Sequence, residues 1–211
     1  MSSGEGATSA VSGPAEGPRA GTDGRPRCPW AVSAPDYCGY HDTEWGVPVH
    51  GEAALFERLS LEAFQSGLSW LTILRKRDAF RRAFVGFDPA AVAAFTDEDV
   101  AHLLTDAGIV RNRAKIEATV RNARAATELG GDLDALLWSY APDPAGRPAP
   151  RTVADVPART PESEAMARAL RRRGFTFVGP ITCHALMQAT GMVDDHLFGC
   201  FRRTTGELRR W

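Results

Sequence analysis

CPWAVSAPDYCGYHDTEW, residues 28–45, is the stretch on which the reading of this chain turns. It gathers Cys28, His41, two of the three tyrosines (Tyr37, Tyr40) and two of the five tryptophans (Trp30, Trp45) into a short segment with no clear hydrophobic period. Its Pro, Gly and Asp content suggests an irregular path, held by packing or a metal rather than by a hydrogen-bond ladder. Near the other end, DDHLFGC (194–200) carries His196 and Cys200, spaced by one helical turn, so that both can face one ion. Two thiolates and two neutral imidazoles suit a tetrahedral Zn²⁺ with no open position, which would be structural rather than catalytic. Spacing alone leaves other readings open: four unrelated side chains, or a disulfide, which a reducing compartment disfavours. Cys38 and Cys183 read as buried spare thiols.

Working outward, the 211 residues fit one domain or a domain with a small appendage, and a hydrophobic fraction of 44% is enough for a core. No apolar run approaches the roughly 18 residues of a membrane span, and the first residues lack the basic and apolar regions of a secretory signal. A reducing, cytoplasmic setting without membrane contact is expected. The formal net charge of −1 argues against a strongly basic coat, yet the arginines cluster: RKRDAFRR at 75–82, RNRAK at 111–115, RRR at 171–173. Such clusters can hold a phosphate backbone or simply be solvated helix faces.

Residues 1–26 are Gly, Pro, Ser, Ala and scattered charges, a composition that predicts a disordered tail. From Gly51 the pattern is helical: Leu55, Phe56, Leu59 and Ala63 form a stripe, and Gly67 closes it. Glu62 projects from that stripe, an expensive place for a carboxylate unless it is paired or faces a polar cavity. A second helix carries Leu71, Ile73, Leu74, Phe80 and Phe84. Short helices start at Asp88-Pro89 and at Thr96, the latter running to about Asp106. A break at 107–110 precedes a helix from near Asn112 to Leu129, and a short one covers 132–140. After a Pro-rich connection (141–160), helices begin at Thr160-Pro161 and Gly179-Pro180. Only FTFV (175–178) alternates like a strand. The fold class is all-α.

Two groups carry chemistry. Tyr37, Tyr40, Trp45 and Trp70 with Glu62 would suit a flat cationic ring, held by stacking and cation–π attraction with a carboxylate at its edge. Taken singly, each reads first as a core aromatic or an Arg-paired acid. DAGIVRNRAK (106–115) looks like a relaxed helix-hairpin-helix, where backbone N–H groups at a helix N-terminus meet a phosphate. Gly108, Arg111, Arg113 and Lys115 are its candidate DNA contacts.

Together these segments resemble the DNA-3-methyladenine glycosylase I family. The resemblance rests on Arg27-Cys28 with Trp30, Tyr40-His41-Asp42 with Glu44-Trp45-Gly46-Val47-Pro48, and Leu61-Glu62 with Gln65 and Gly67-Leu68-Ser69-Trp70. It continues through Asp106-Ala107-Gly108-Ile109, Trp138-Ser139, Arg173-Gly174-Phe175, Met187-Gln188-Ala189 and Asp195-His196 with Cys200. The resemblance implies a helix-hairpin-helix DNA glycosylase fold over 27–203, followed by a C-terminal tail at 204–211. It also implies one structural zinc on Cys28, His41, His196 and Cys200, joining the N- and C-terminal segments. Its base pocket falls on Glu62, Tyr37, Tyr40 and Trp70. The implied activity is monofunctional base-excision repair: hydrolysis of the N-glycosidic bond of 3-methyladenine in double-stranded, alkylated DNA, with free 3-methyladenine and an abasic site as products. Glu62 would be the catalytic residue, and Gly67-Leu68 would press into the gap left by the flipped base. A monomer is expected. The chain departs from the family in its N-terminal tail, and in His50-Gly51 where members often place an acidic helix cap.

Overall fold

The computed structural model describes residues 16–203. Among them are nine α-helices and one two-stranded antiparallel sheet, β1 (Arg19–Ala20) with β2 (Pro26–Arg27), with Arg19 opposite Arg27. The sheet is a correction to the expected tail: residues 16–26 are structured, and the expectation for 1–15, like that for the tail at 204–211, lies outside the described residues. Polar partners rather than apolar burial hold the hairpin. Arg27, 3% exposed, grips Asp23 with Nη1 and Nη2 and Asp42 with Nε and Nη2. The strand candidate at 175–178 is irregular, tied to Asn122 through the Thr176 amide and carbonyl.

The helix signals of the central chain fold as read. Helix α2 (Glu52–Gln65) buries Leu55, Phe56, Leu59 and Phe64 against α3 (Trp70–Ala83), α6 (Arg113–Thr127), α7 (Leu133–Trp138) and α9 (Pro180–Ala189). Ser69 caps α3, Asp88 caps α4 (Pro89–Ala93), Thr96 forms a capping box on α5 (Asp97–Leu103), and Asn112 caps α6. The departure at His50-Gly51 is compensated from another helix. Asp134 of α7 accepts from the Gly51 amide at 2.6 Å and from His50 Nδ1 at 3.0 Å, so the acid at the start of α2 comes in trans. Helix α8 (Pro161–Arg172) packs on α9 and completes the body.

Residues 28–45 are not irregular throughout. They hold one turn of 3₁₀-helix and α1 (Pro35–Thr43), which carries Tyr37, Tyr40 and His41. The apolar residues of α1 make no stripe, which is why the helical period was invisible. The strap that follows docks on the end of α9: the Gly46 amide donates to the Gln188 carbonyl and the Val49 amide to that of Thr190. Gly191 permits this approach. Its φ is +72°, and a Cβ there would stand 2.7 Å from the Pro48 nitrogen.

Phe64, Phe80, Phe84 and Phe87 form the aromatic centre of the core, with the Phe64 and Phe80 rings 4.6 Å apart. Phe80→Ala should destabilise the fold by about 3–5 kcal/mol, read as a lower urea midpoint at an unchanged m-value.

Candidate active site: an acid in an aromatic cleft

Five elements converge on a cleft of about 240 Å³. The 3₁₀ turn contributes Trp30, α1 contributes Tyr37 and Tyr40, α2 contributes Glu62 and Gln65, Trp70 opens α3, and α9 contributes Ala185 and Gln188; Trp45 lines the wall beyond α1. All five residues of the expected pocket therefore come together, and Trp30, Gln65, Ala185 and Gln188 join them. Trp30 stands edge-on to Tyr37 at 5.6 Å and to Trp45 at 5.1 Å, while the rings of Tyr40 and Trp70 are 5.4 Å apart. Tyr37 is fixed by its hydroxyl, which accepts from the Leu71 amide at 2.9 Å.

Glu62 is 6% exposed, and among the described residues its carboxyl makes no hydrogen bond or ion pair. Burial pushes its pKa from 4.5 up to about 8, against a weaker pull from Arg58. Arg58 is engaged elsewhere, since with Arg77 it binds Glu44. Burial opposes ionisation of Glu44, yet the two guanidiniums hold its pKa down at about 2. Two acids of one region are thus driven apart, one ionised and one kept neutral.

The four-residue cluster forms as expected. The ligand atoms of Cys28, His41, His196 and Cys200 all lie within 4.8 Å of one another, and all four residues are buried. Cys200 Sγ stands 3.4 Å from His41 Nε2 and 3.7 Å from His196 Nδ1, and Cys28 Sγ 3.8 Å from His196 Nδ1. Donors held about 2.0–2.3 Å from a tetrahedral metal stand roughly 3.3–3.8 Å apart, so the set fits one ion. The outward ring nitrogens are occupied, His41 Nδ1 by Asp42 at 2.8 Å and His196 Nε2 by the Trp45 carbonyl at 3.2 Å, which turns the other nitrogens inward. The interaction between the two thiols, with burial, raises the pKa of Cys28, and the same interaction holds that of Cys200 down.

The expected DNA contacts divide. Leu68 is 41% exposed at the tip of the loop between Gln65 and Trp70, where Gly67 has φ +79°. Arg111 is exposed, and Arg113, also exposed, pairs with Glu117 at 3.3 Å. The Gly108 amide is capped by Asp106 at 2.7 Å, and a Cβ on Gly108 would meet that of Ala79 at 2.9 Å. Lys115 does not present its charge to solvent. It is buried, and Nζ donates to the carbonyls of Phe64, at 2.8 Å, and Ser66. The unsatisfied C-terminal carbonyls of α2 claim it, so it positions the Leu68 loop. The run at 75–82 is likewise partly paired, Arg75 with Asp36, Arg77 with Glu44 and Arg81 with Glu57.

The protein thus combines an unpartnered acid in an aromatic cleft with an exposed loop on a mostly helical body. The sequence model of the methyladenine glycosylase family matches residues 30–203. The chain belongs to that family. It is 44% identical over 177 residues to DNA-3-methyladenine glycosylase 1 of Escherichia coli (strain K12), covering 82% of this chain and 95% of that one. A crystal structure of 3-methyladenine DNA glycosylase I superposes with a TM-score of 0.79 at 43% identity, covering 84% of this chain and 100% of the other. A structure addressing 3-methyladenine recognition by the Staphylococcus aureus enzyme gives 0.78 at 34% identity, covering 86% and 98%.

The state of Glu62 has a measurable consequence. Its folded pKa lies above its unfolded one, so between 4.5 and about 8 only the folded chain keeps the proton. The neutral acid's stability is whole below the unfolded pKa and is lost as pH rises towards the folded one. Urea unfolding at about pH 5 and about pH 8 should show wild type losing on the order of a few kcal/mol more than Glu62→Gln.

Proposed function

We propose that this protein hydrolyses the N-glycosidic bond of 3-methyladenine in double-stranded alkylated DNA, releasing the free base and leaving an abasic site. The observation that carries this reading is the buried, unpartnered carboxyl of Glu62 in an aromatic cleft. The target base leaves the stack, a step of a few kcal/mol that is cheaper for a damaged base. Its alkylated ring is cationic. Tyr40 and Trp70, with Tyr37, hold its faces, and the approaching positive charge favours the ionised form of Glu62, reversing the effect of burial. The carboxylate then meets a cation in a dry site, reads the base edge and stabilises developing charge. Because a cationic base already leaves readily, little acid catalysis is needed.

Both lysines of the chain support hydrolysis without a Schiff base. Lys115 Nζ is held by Phe64 and Ser66, and Lys76 Nζ by the Ala107 carbonyl at 2.8 Å, and neither lines the cleft. Leu68 is the wedge, and Arg111 and Arg113 are the phosphate contacts. Cys28, His41, His196 and Cys200 hold one Zn²⁺, which staples the N- and C-terminal segments and takes no part in the chemistry. The working form is a cytoplasmic monomer. No helix among the described residues is long and apolar enough to cross a membrane.

Base release from methylated DNA, followed by chromatography, tests the reading. Wild type should release 3-methyladenine, and Glu62→Gln should be slower by about 10²-fold or more with helicity and metal content unchanged. A folded wild type that binds methylated DNA but releases no base would refute it. Elemental analysis should find one zinc per chain, lost in Cys200→Ser together with several degrees of thermal stability; a metal-free wild type with full stability would remove the zinc assignment.

A further inference from the structure

One cleft residue belongs to a buried polar chain that the proposed mechanism leaves unused. Gln188 lines the cleft from α9. Its backbone carbonyl accepts from the Gly46 amide at 3.1 Å, and its side-chain Nε2 donates to Asp195 Oδ2 at 2.9 Å. Asp195 is sealed, with its side chain 2% exposed, and Oδ1 accepts from Arg147 Nη2 at 2.8 Å. His184, one turn before Gln188, has Nε2 3.2 Å from Asp195 Oδ2 but out of line for a hydrogen bond. Arg147 comes from the long Pro-rich connection, which is thereby given a task.

The chemistry of this chain dictates the orientation of the amide. A carboxylate held by a guanidinium offers only lone pairs. Gln188 must therefore turn its NH₂ towards Asp195, because the flipped amide would set acceptor against acceptor. The oxygen Oε1 is left over, and among the described residues it accepts no hydrogen bond. Gln188 thus brings to the lining of the cleft an amide of fixed orientation whose Oε1 is unclaimed, in addition to the Glu62 carboxyl.

We propose that Gln188 is a specificity-determining residue: its Oε1 accepts from the exocyclic amine of a 6-aminopurine and disfavours purines that carry a 6-oxo group, with Asp195 as the positioning residue. The inference rests on the base-release reading above and refines its substrate class. A 6-oxo ring would place a second carbonyl against Oε1, leaving two desolvated acceptors unpaired. Sites built around one hydrogen bond reject analogues that lack the donor far more strongly than apolar pockets reject a changed methyl.

The test compares release of 3-methyladenine and 3-methylguanine from the same methylated DNA. Both bases leave as N3-alkylated purines, and they differ at the ring edge. Gln188→Met should lower the ratio of the two kcat/KM values about tenfold or more. Asp195→Asn, whose amide can donate as well as accept, should free Gln188 to flip and lower the ratio in the same direction. A parallel fall for both bases, or an unchanged ratio, would overturn the proposal. Should either variant lose its helical circular dichroism or its metal, wild type decides through quenching of tryptophan fluorescence by free bases. There 3-methylpurine, which has no 6-amino group, should bind about tenfold more weakly than 3-methyladenine, and equal affinities would overturn the proposal. Failure of the underlying reading looks different, since wild type would then release neither base.

Discussion

The cleft depends on the closure of two distant segments around Cys28, His41, His196 and Cys200. Residues 28–45 carry the aromatic wall, yet they have no apolar stripe with which to dock themselves. Their attachment is made instead by the ligand cluster, by the strap from Gly46 to Val49 on the end of α9, and by Arg27 bridging Asp23 and Asp42. Asp42 in turn fixes the His41 ring, so the N-terminal hairpin, the imidazole and the aromatic wall form one connected set. A metal bound there would act on function only through position, by setting Trp30, Tyr37, Tyr40 and Trp45 around Glu62.

Glu62 is the point where stability and function conflict. A buried carboxyl without a partner is unfavourable, and the apolar residues of α2 around it must offset the cost. The same isolation makes the group responsive to a cation, because no arginine or backbone amide has already satisfied it. Arg58 and Arg77, which could have done so, are held on Glu44. The site keeps one acid neutral and ready by giving the nearby cations to another.

Much of this was legible before any coordinates. Local chemistry sets the helix starts at Asp88, Thr96, Asn112 and Thr160, and the caps are found where it puts them. Glu62 stood out because a charge in an apolar stripe breaks a period. Features carried by partners distant in sequence were hidden. Helix α1 is held from outside, so its own pattern is silent. The hairpin at 19–27 is held by ion pairs, which composition counts as polarity and hence as disorder. Lys115 at a helix start reads as a phosphate contact until the open carbonyls of α2 are found beside it. Gln65 and Gln188 enter the cleft as amides, a residue type with no periodic signature, and only the folded chain shows which of them is anchored.

The most direct test of this dependence is removal of the proposed metal under native conditions, with binding of free 3-methyladenine followed by tryptophan fluorescence and helicity by far-ultraviolet circular dichroism. The account predicts that chelation abolishes 3-methyladenine binding and shifts the tryptophan emission while most helical signal remains, because the core formed by α2–α9 does not contain the cluster. Unchanged 3-methyladenine affinity in a fully metal-free protein would contradict it.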